Sequence, residues 1–305
     1  MAFLPSPSRQ RLYTNPSTYA SLFRDFTWGQ DDQGQGVGLL EDEIKTRLDV
    51  PYALAVNQAR VGIYLAIKAL VTEHKRNVIM SPFTIFDVVN MVICAGGNPV
   101  FADIEVGSCT VNPQEIERLI DDQTAAVFIT HTHVLCQGVD RILEICRSQN
   151  IPLVEDAAVA YGTHYRGKAV GTLGDIGVYS FGLFKNVSAV YGGMVVTRHE
   201  ALYRQMAEEM AGFQAVSKRE LLNRCLYGLT IDMATNPFVF RTLTFWVFRF
   251  GFLHDIEVIN KRTRNDPNAF RRDELPGALP SLQFAKTVLS RTSVSDGRVF
   301  ATAPQ

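Results

Sequence analysis

The feature that most constrains this chain is an alternation. Between Tyr52 and Ala157, short apolar runs take turns with amphipathic stretches. YALAV (52–56), NVIMS (77–81), PVFADI (99–104), AAVFITHT (125–132) and IPLVEDA (151–157) are short and largely apolar on both faces. They predict buried strands. RVGIYLAIKALVTEH (60–74), IFDVVNMVICAG (85–96), NPQEIERLI (112–120) and VDRILEICRSQ (139–149) carry apolar residues at helical spacing. Asn112 before Pro113 predicts a helix start, and Gly96–Gly97 a helix stop. GLLEDEIKTRLDV (38–50) predicts one more helix upstream. Strands alternating with helices give an α/β fold whose sheet is mostly parallel and covered on both faces. Ligands of such sheets sit beyond the carboxyl ends of the strands. The loops after Val56, Ser81, Thr132 and Val154 are therefore the ones to inspect.

The chain has 305 residues, enough for one large domain with a smaller one, divided here as 1–205 and 206–305. Its formal net charge of -1 excludes a global attraction to nucleic acid. Five cysteines without a CxxC pair argue against a disulfide framework or a cysteine zinc site, and imply a reducing, cytoplasmic compartment. The opening MAFLPSPSRQRLYTNPS lacks the continuous apolar core of a signal peptide. There is no uncharged apolar run of about 18 residues, the length a spanning helix needs.

Two features carry chemistry. LVEDAAVAYG puts Glu155 and Asp156 at the end of a buried strand. A carboxylate there costs desolvation energy unless a cation or donor meets it; an ion pair, a helix cap or a ligand would each serve. SFGLFKNVSAVYGGMVV (180–196) puts Lys185 among apolar neighbours. Such a lysine either sits at the mouth of the fold with its stem buried or is a reactive amine, since desolvation favours the neutral nucleophile. Asp156 precedes Lys185 by 29 positions, and Ser180 precedes it by five. A cofactor with a pyridine ring, an aldehyde and a phosphate needs an acid at the ring nitrogen, an amine for the aldehyde, and hydroxyls or amides for the phosphate.

The segment EDAAVAYGTHYRGKAVGTLGDIGVYSFGLFKNVSAVYGGMVVT (155–197) resembles the core signature of the DegT/DnrJ/StrS family of pyridoxal-phosphate sugar aminotransferases. The shared positions are Glu155, Asp156, Ala157, Ala158, Gly162, Gly171, Gly174, Asp175, Gly177, Ser180, Phe181, Lys185, Gly192 and Gly193. Upstream, SPFTIFDVVNMVICAGGNPVFADIE is similar to the family's PxxTFxAxxNAxxxxGAxPxFxDxD stretch, so the likeness covers roughly residues 38–200. The resemblance implies a fold-type-I large domain with a mixed, mostly parallel seven-stranded sheet, and a homodimer. It implies transfer of an amino group from glutamate to a keto-sugar, typically nucleotide-linked. Lys185 would be the Schiff-base lysine, Asp156 the partner of the pyridine nitrogen and Ser180 a phosphate contact.

The resemblance also locates this chain's departures. Where the family has a small-residue phosphate turn, Asn57, Gln58, Ala59 and Arg60 stand here. Ala59 and Arg60 are then the phosphate contacts, or Arg60 fills that site. The ring-stacking position, aromatic in the family, aligns with Ile85; Val159 replaces a Gln or His. His131 or His133 is a candidate for the cofactor pocket, and no metal is expected. The chain stops soon after SLQFAKTVLSR (281–291), which implies an incomplete small domain and leaves a non-catalytic relative, kept for binding or dimerisation, as the alternative. NPFVFRTLTFWVFRFGFLHD (236–255) holds six Phe and one Trp, broken by Arg241 and Arg249. It suits a core or dimer-interface helix, or alternatively a membrane-surface helix or a cover for a lipid-linked substrate.

Overall fold

The computed structural model describes residues 8, 19–21, 23–24, 35–132, 135–189, 191–214, 216–254 and 256. The described residues form two compact units, one within 31–216 and one made from those of 1–30 and 217–256. The loop expected at 260–280 and the helix expected at 281–291 lie outside the described residues.

The larger unit is built on seven strands: β1 (Tyr52–Val56), β2 (Asn77–Met80), β3 (Asn98–Phe101), β4 (Thr124–Thr130), β5 (Leu153–Asp156), β8 (Ile176–Ser180) and β9 (Gly193–Thr197). A two-residue ribbon, β6 (His164–Tyr165) with β7 (Lys168–Ala169), lies between β5 and β8 in sequence. The sheet order is β1-β9-β8-β5-β4-β2-β3. β8, β5, β4, β2 and β3 run parallel, and β9 pairs antiparallel with both β1 and β8. The expected α/β class, with its mostly parallel seven-stranded sheet, is what forms.

Helices cover both faces. α1 (Gln35–Leu48), α4 (Pro113–Leu119) and α5 (Val139–Ser148) bury Leu40, Ile44, Ile116, Ile142 and Ile145 against one face. α2 (Ala59–Lys68) lies on the other, with every residue from Val61 to Ile67 buried. Gly62 allows this close seat: a Cβ there would come within 2.8 Å of Val195 and 3.0 Å of Val178. α3 (Phe86–Cys94) and α6 (Glu200–Ala211) pack beside α2. Asn112 caps α4 as its sequence predicts, accepting from the Gln114 amide at 2.9 Å. α2 ends at Lys68, short of the expected His74. The Thr72 hydroxyl takes the Lys75 amide while the Thr72 amide donates to the Lys75 carbonyl, a local turn that displaces the helix.

The second unit holds α7 (Lys218–Thr235), a short turn α8 (Pro237–Val239), a π-helical turn over Phe240–Thr244, and α9 (Phe245–Leu253). Ser217 caps α7 through the Glu220 amide, and Asn236 caps α8 through the Phe238 amide.

Candidate active site

The carboxyl rim of the sheet gathers the candidate residues. Side chains alternate along a strand, so Glu155 and Asp156 leave β5 on opposite faces. Asp156 pairs in register with Val178, whose side chain faces α2. Ser180 lies two residues further along β8, on the same face. Asp156 and Ser180 thus open toward the start of α2.

Lys185 follows Ser180 on a loop closed by two backbone bonds, Phe181 amide to Gly192 carbonyl and Ala189 amide to Phe181 carbonyl. Asn186 ties this loop to the turn after Asp156: its side-chain amide donates to the Val159 carbonyl at 3.0 Å and the Tyr161 carbonyl at 3.4 Å. Phe184, just before the lysine, holds a left-handed backbone with φ 65°, an unusual conformation for a bulky residue.

The two ionisable groups feel each other. Burial holds the Lys185 amine below its ordinary pKa, and the Asp156 charge partly restores it. Burial pushes the Asp156 carboxyl above its ordinary range, against the Ala158 amide at 3.0 Å and the charge of Lys185. Taken together, this is a carboxylate with little to stabilise it and an amine biased toward its neutral form.

Glu155 has a different duty on the opposite face. Its Oε1 accepts the amides of Leu173 and Gly174, both at 2.7 Å; its Oε2 accepts the Gly171 amide at 2.9 Å and His131 Nε2 at 2.9 Å. His131 Nδ1 accepts the Cys136 amide at 3.2 Å, so the ring proton sits on Nε2. Carboxylate and imidazole are both buried, and they lock the 171–174 loop against β5. The Cys136 thiol is pushed up to about 12, chiefly by burial and then by Glu155, which makes it an inert core group.

The turn after β1 meets Gly193. A Cβ on that glycine would fall 2.6 Å from the Ala59 nitrogen and 2.8 Å from the Gln58 carbonyl carbon. Only glycine lets the helix start approach β9 so closely, beside Ser180, its register partner. α2 begins at Ala59, so its first turn presents backbone amides toward this rim. The Arg60 guanidinium turns to α3, meeting Asp87 at 3.0 Å, and also donates to the side-chain Oε1 of Gln58 at 2.8 Å. Ile85 caps α3 with an exposed side chain, between exposed Phe83 and Phe86. His133 lies outside the described residues. No group of three or more His, Cys, Asp or Glu is placed to hold a metal among the described residues.

Sheet order and a lysine–aspartate pair in the carboxyl-end crevice define the large domain of a fold-type-I α/β transferase. The chain belongs to the DegT/DnrJ/EryC1/StrS aminotransferase family, which matches residues 25–231. It is 32% identical to GDP-perosamine synthase of Escherichia coli O157:H7 over 185 residues, 61% of this chain and 50% of that one. Among solved structures, an aminotransferase from Psychrobacter cryohalolentis superposes with a TM-score of 0.63 at 27% identity, covering 68% of this chain and 53% of that one. The E. coli GDP-4-keto-6-deoxy-D-mannose-3-dehydratase, solved with bound hydrated PLP, gives 0.60 at 19% identity, covering 67% and 54%, a likeness of fold. The chain spans about half the length of the curated relatives it matches.

Three contributors escaped the sequence reading: Asn186, the Glu155–His131 pair and the Arg60–Asp87 pair. Glu155 is itself a motif position, Asn186 adjoins Lys185, and Arg60 and His131 were already candidates, but the motif names none of these pairings. Their partners lie 24 to 27 residues away, at a spacing no periodicity encodes.

Proposed function

We propose that this chain binds pyridoxal phosphate and transfers an amino group from glutamate to a keto-sugar carried on a nucleotide. The supporting observation is the meeting of Lys185 and Asp156, each perturbed by burial, at one strand rim beside Ser180 and the α2 start. The residues fit the group. Asp156 is a buried carboxylate with one backbone donor, and a protonated ring nitrogen would complete it. The start of α2, seated closely against Gly193, offers backbone amides for a phosphate.

When bound, pyridoxal phosphate supplies an aldehyde for covalent attachment and a ring that accepts electrons from the substrate's amine-bearing carbon. Lys185 provides the attaching amine, and its lowered pKa keeps a larger fraction neutral near pH 7. As a free amine, Lys185 Nζ is the group that would accept a proton from that carbon and hand it on to the cofactor's former aldehyde carbon. Asp156 would keep the ring nitrogen protonated. Ser180 Oγ and the Ala59 and Arg60 amides would hold the phosphate, while Asp87 and Gln58 fix the Arg60 side chain at the site's edge. Ile85 is the side chain that would stand at the ring. Asn186 positions Lys185 by anchoring its loop. Two copies pairing as a homodimer is part of this reading.

The test is reduction with borohydride after incubation with pyridoxal phosphate, followed by peptide mass analysis. The label is expected on Lys185 and absent in Lys185→Ala. A label elsewhere, or none at saturating cofactor, overturns the reading. Addition of glutamate should then convert the bound chromophore to the amine form. Stable binding without this conversion would identify a binding relative instead.

A further inference from the structure

We propose that the helical segment Pro237–Leu253 seats the protein on an anionic membrane surface, entering one leaflet without crossing it. This inference is independent of the cofactor.

The segment is apolar nearly all round. Trp246, Val247 and Phe248 are consecutive, and each keeps over 40% of its surface exposed. Three consecutive helical residues span about 200° of the circumference. Phe238, Leu243, Phe250, Phe252 and Leu253 extend the exposed surface along the helix, with Phe252 76% open. Only Thr244 and Gly251 are buried in this stretch, a narrow seam of small residues. A helix hydrophobic on most sides needs an apolar environment, and an exposed patch of this extent marks an interaction site. A flat protein partner covers one face of a helix. Acyl chains close around most of it, which is what these directions of exposure require.

Charge points to the same occupant. From Met233 to His254 there is no Asp or Glu, and the formal charges are Arg241 and Arg249. Arg249 stacks over the Trp246 ring at 5.8 Å, and Trp246 Nε1 donates to the Arg241 carbonyl at 3.1 Å. An indole with a guanidinium over its ring suits the headgroup level, where arginine stems lie in the apolar layer and their heads meet lipid phosphate. Length sets the depth. Pro237 to Leu253 measures about 25 Å at roughly 1.5 Å per residue, short of the ~30 Å hydrocarbon core. Among the described residues, no helix is long and apolar enough to cross a membrane.

Flotation of the full chain with lipid vesicles tests this. One set is phosphatidylcholine alone, and the other carries phosphatidylserine in addition. The chain is expected to float with the second set at least tenfold better than with the first. Phe250→Ser with Phe252→Ser, and separately Arg241→Glu with Arg249→Glu, should each cut flotation tenfold or more. Both residue pairs are exposed, and circular dichroism melting should confirm unchanged folding. In a Trp28→Phe background, Trp246 emission should shift to the blue on anionic vesicles. Equal flotation with both sets, or none with either, overturns the proposal. An oligomer that dissociates in the Phe250/Phe252 variant and ignores vesicles also overturns it, and gives the face to a second copy.

Discussion

At the scale of single residues, the site keeps two groups in unfavourable states. Burial is the leading cause for both Asp156 and Lys185, so their mutual attraction does not repay desolvation. The effect on stability has a definite sign. The Asp156 carboxyl binds its proton more tightly when folded than at its ordinary value of 3.8. Between that value and the raised one, the folded state holds more protons than the unfolded chain. Stability of the cofactor-free protein should therefore fall as pH rises through this window. Asp156→Asn removes the titration. Its cofactor-free form is expected to melt at the same temperature as the parent or higher above the window, with a flatter pH profile. The same substitution should weaken pyridoxal phosphate binding at least tenfold. Thermal scans from pH 3 to 8, with and without cofactor, read both effects; parallel pH profiles for parent and variant would refute the assignment. The shifted pair itself was legible in the sequence, because a buried strand end and an apolar lysine loop are local patterns. The offsetting partners were not, because the chain's crossings decide them.

At the scale of elements, the rim depends on two loops held by unlike means. The 171–174 loop hangs on the Glu155 carboxylate and its four donors. Glu155→Gln turns half of that acceptor into an NH2 group facing donors. The expected cost is about 2–4 kcal/mol, from a buried, unsatisfied cluster. A urea melt should show a lower midpoint with an unchanged slope. The α2 start depends instead on the absence of an atom. Gly193→Ala places a methyl group 2.6 Å from the Ala59 nitrogen, so the turn must retreat from β9. We expect affinity for pyridoxal phosphate to drop at least tenfold, while the Lys185 loop stays in place. Equilibrium dialysis measures this directly. The sequence marked Gly193 by resemblance, but the reason for it is the approach of an element more than 130 residues away. Gly177 shows the same logic more severely: a Cβ there would meet the Gly171 carbonyl oxygen at 1.7 Å. β1, β2, β4 and β5 were legible because burial on both faces writes itself as continuous apolar runs; β3 was read too but is partly exposed, and β6 to β9 were not read as strands. The end of α2 was not, because one threonine turn overrode a periodic pattern.

At the scale of the larger unit, the parallel sheet has two unlike rims. The carboxyl rim carries the lysine, the aspartate and the α2 start. The opposite rim holds a cavity of about 400 Å³ whose lining includes Arg147, Lys168 and Arg198 together with Asp175 and Leu153. A phosphate-bearing cofactor therefore meets basic side chains at both rims, Lys185 and Arg60 at one and Arg147, Lys168 and Arg198 at the other, and their presence alone does not choose between them. Desolvation and covalent reach can, since only the carboxyl rim pairs a buried carboxylate with a lowered amine. Amide hydrogen exchange separates the two. β4, β5, β8 and β9 are buried along nearly their whole length and should exchange slowest, through global opening. Added pyridoxal phosphate should slow exchange in peptides spanning 57–62, 157–162 and 181–189. Peptides spanning 147–152 and 172–175 should keep their rates. Protection confined to the second group would move the ligand to the opposite rim and remove the physical basis for Lys185 as its anchor.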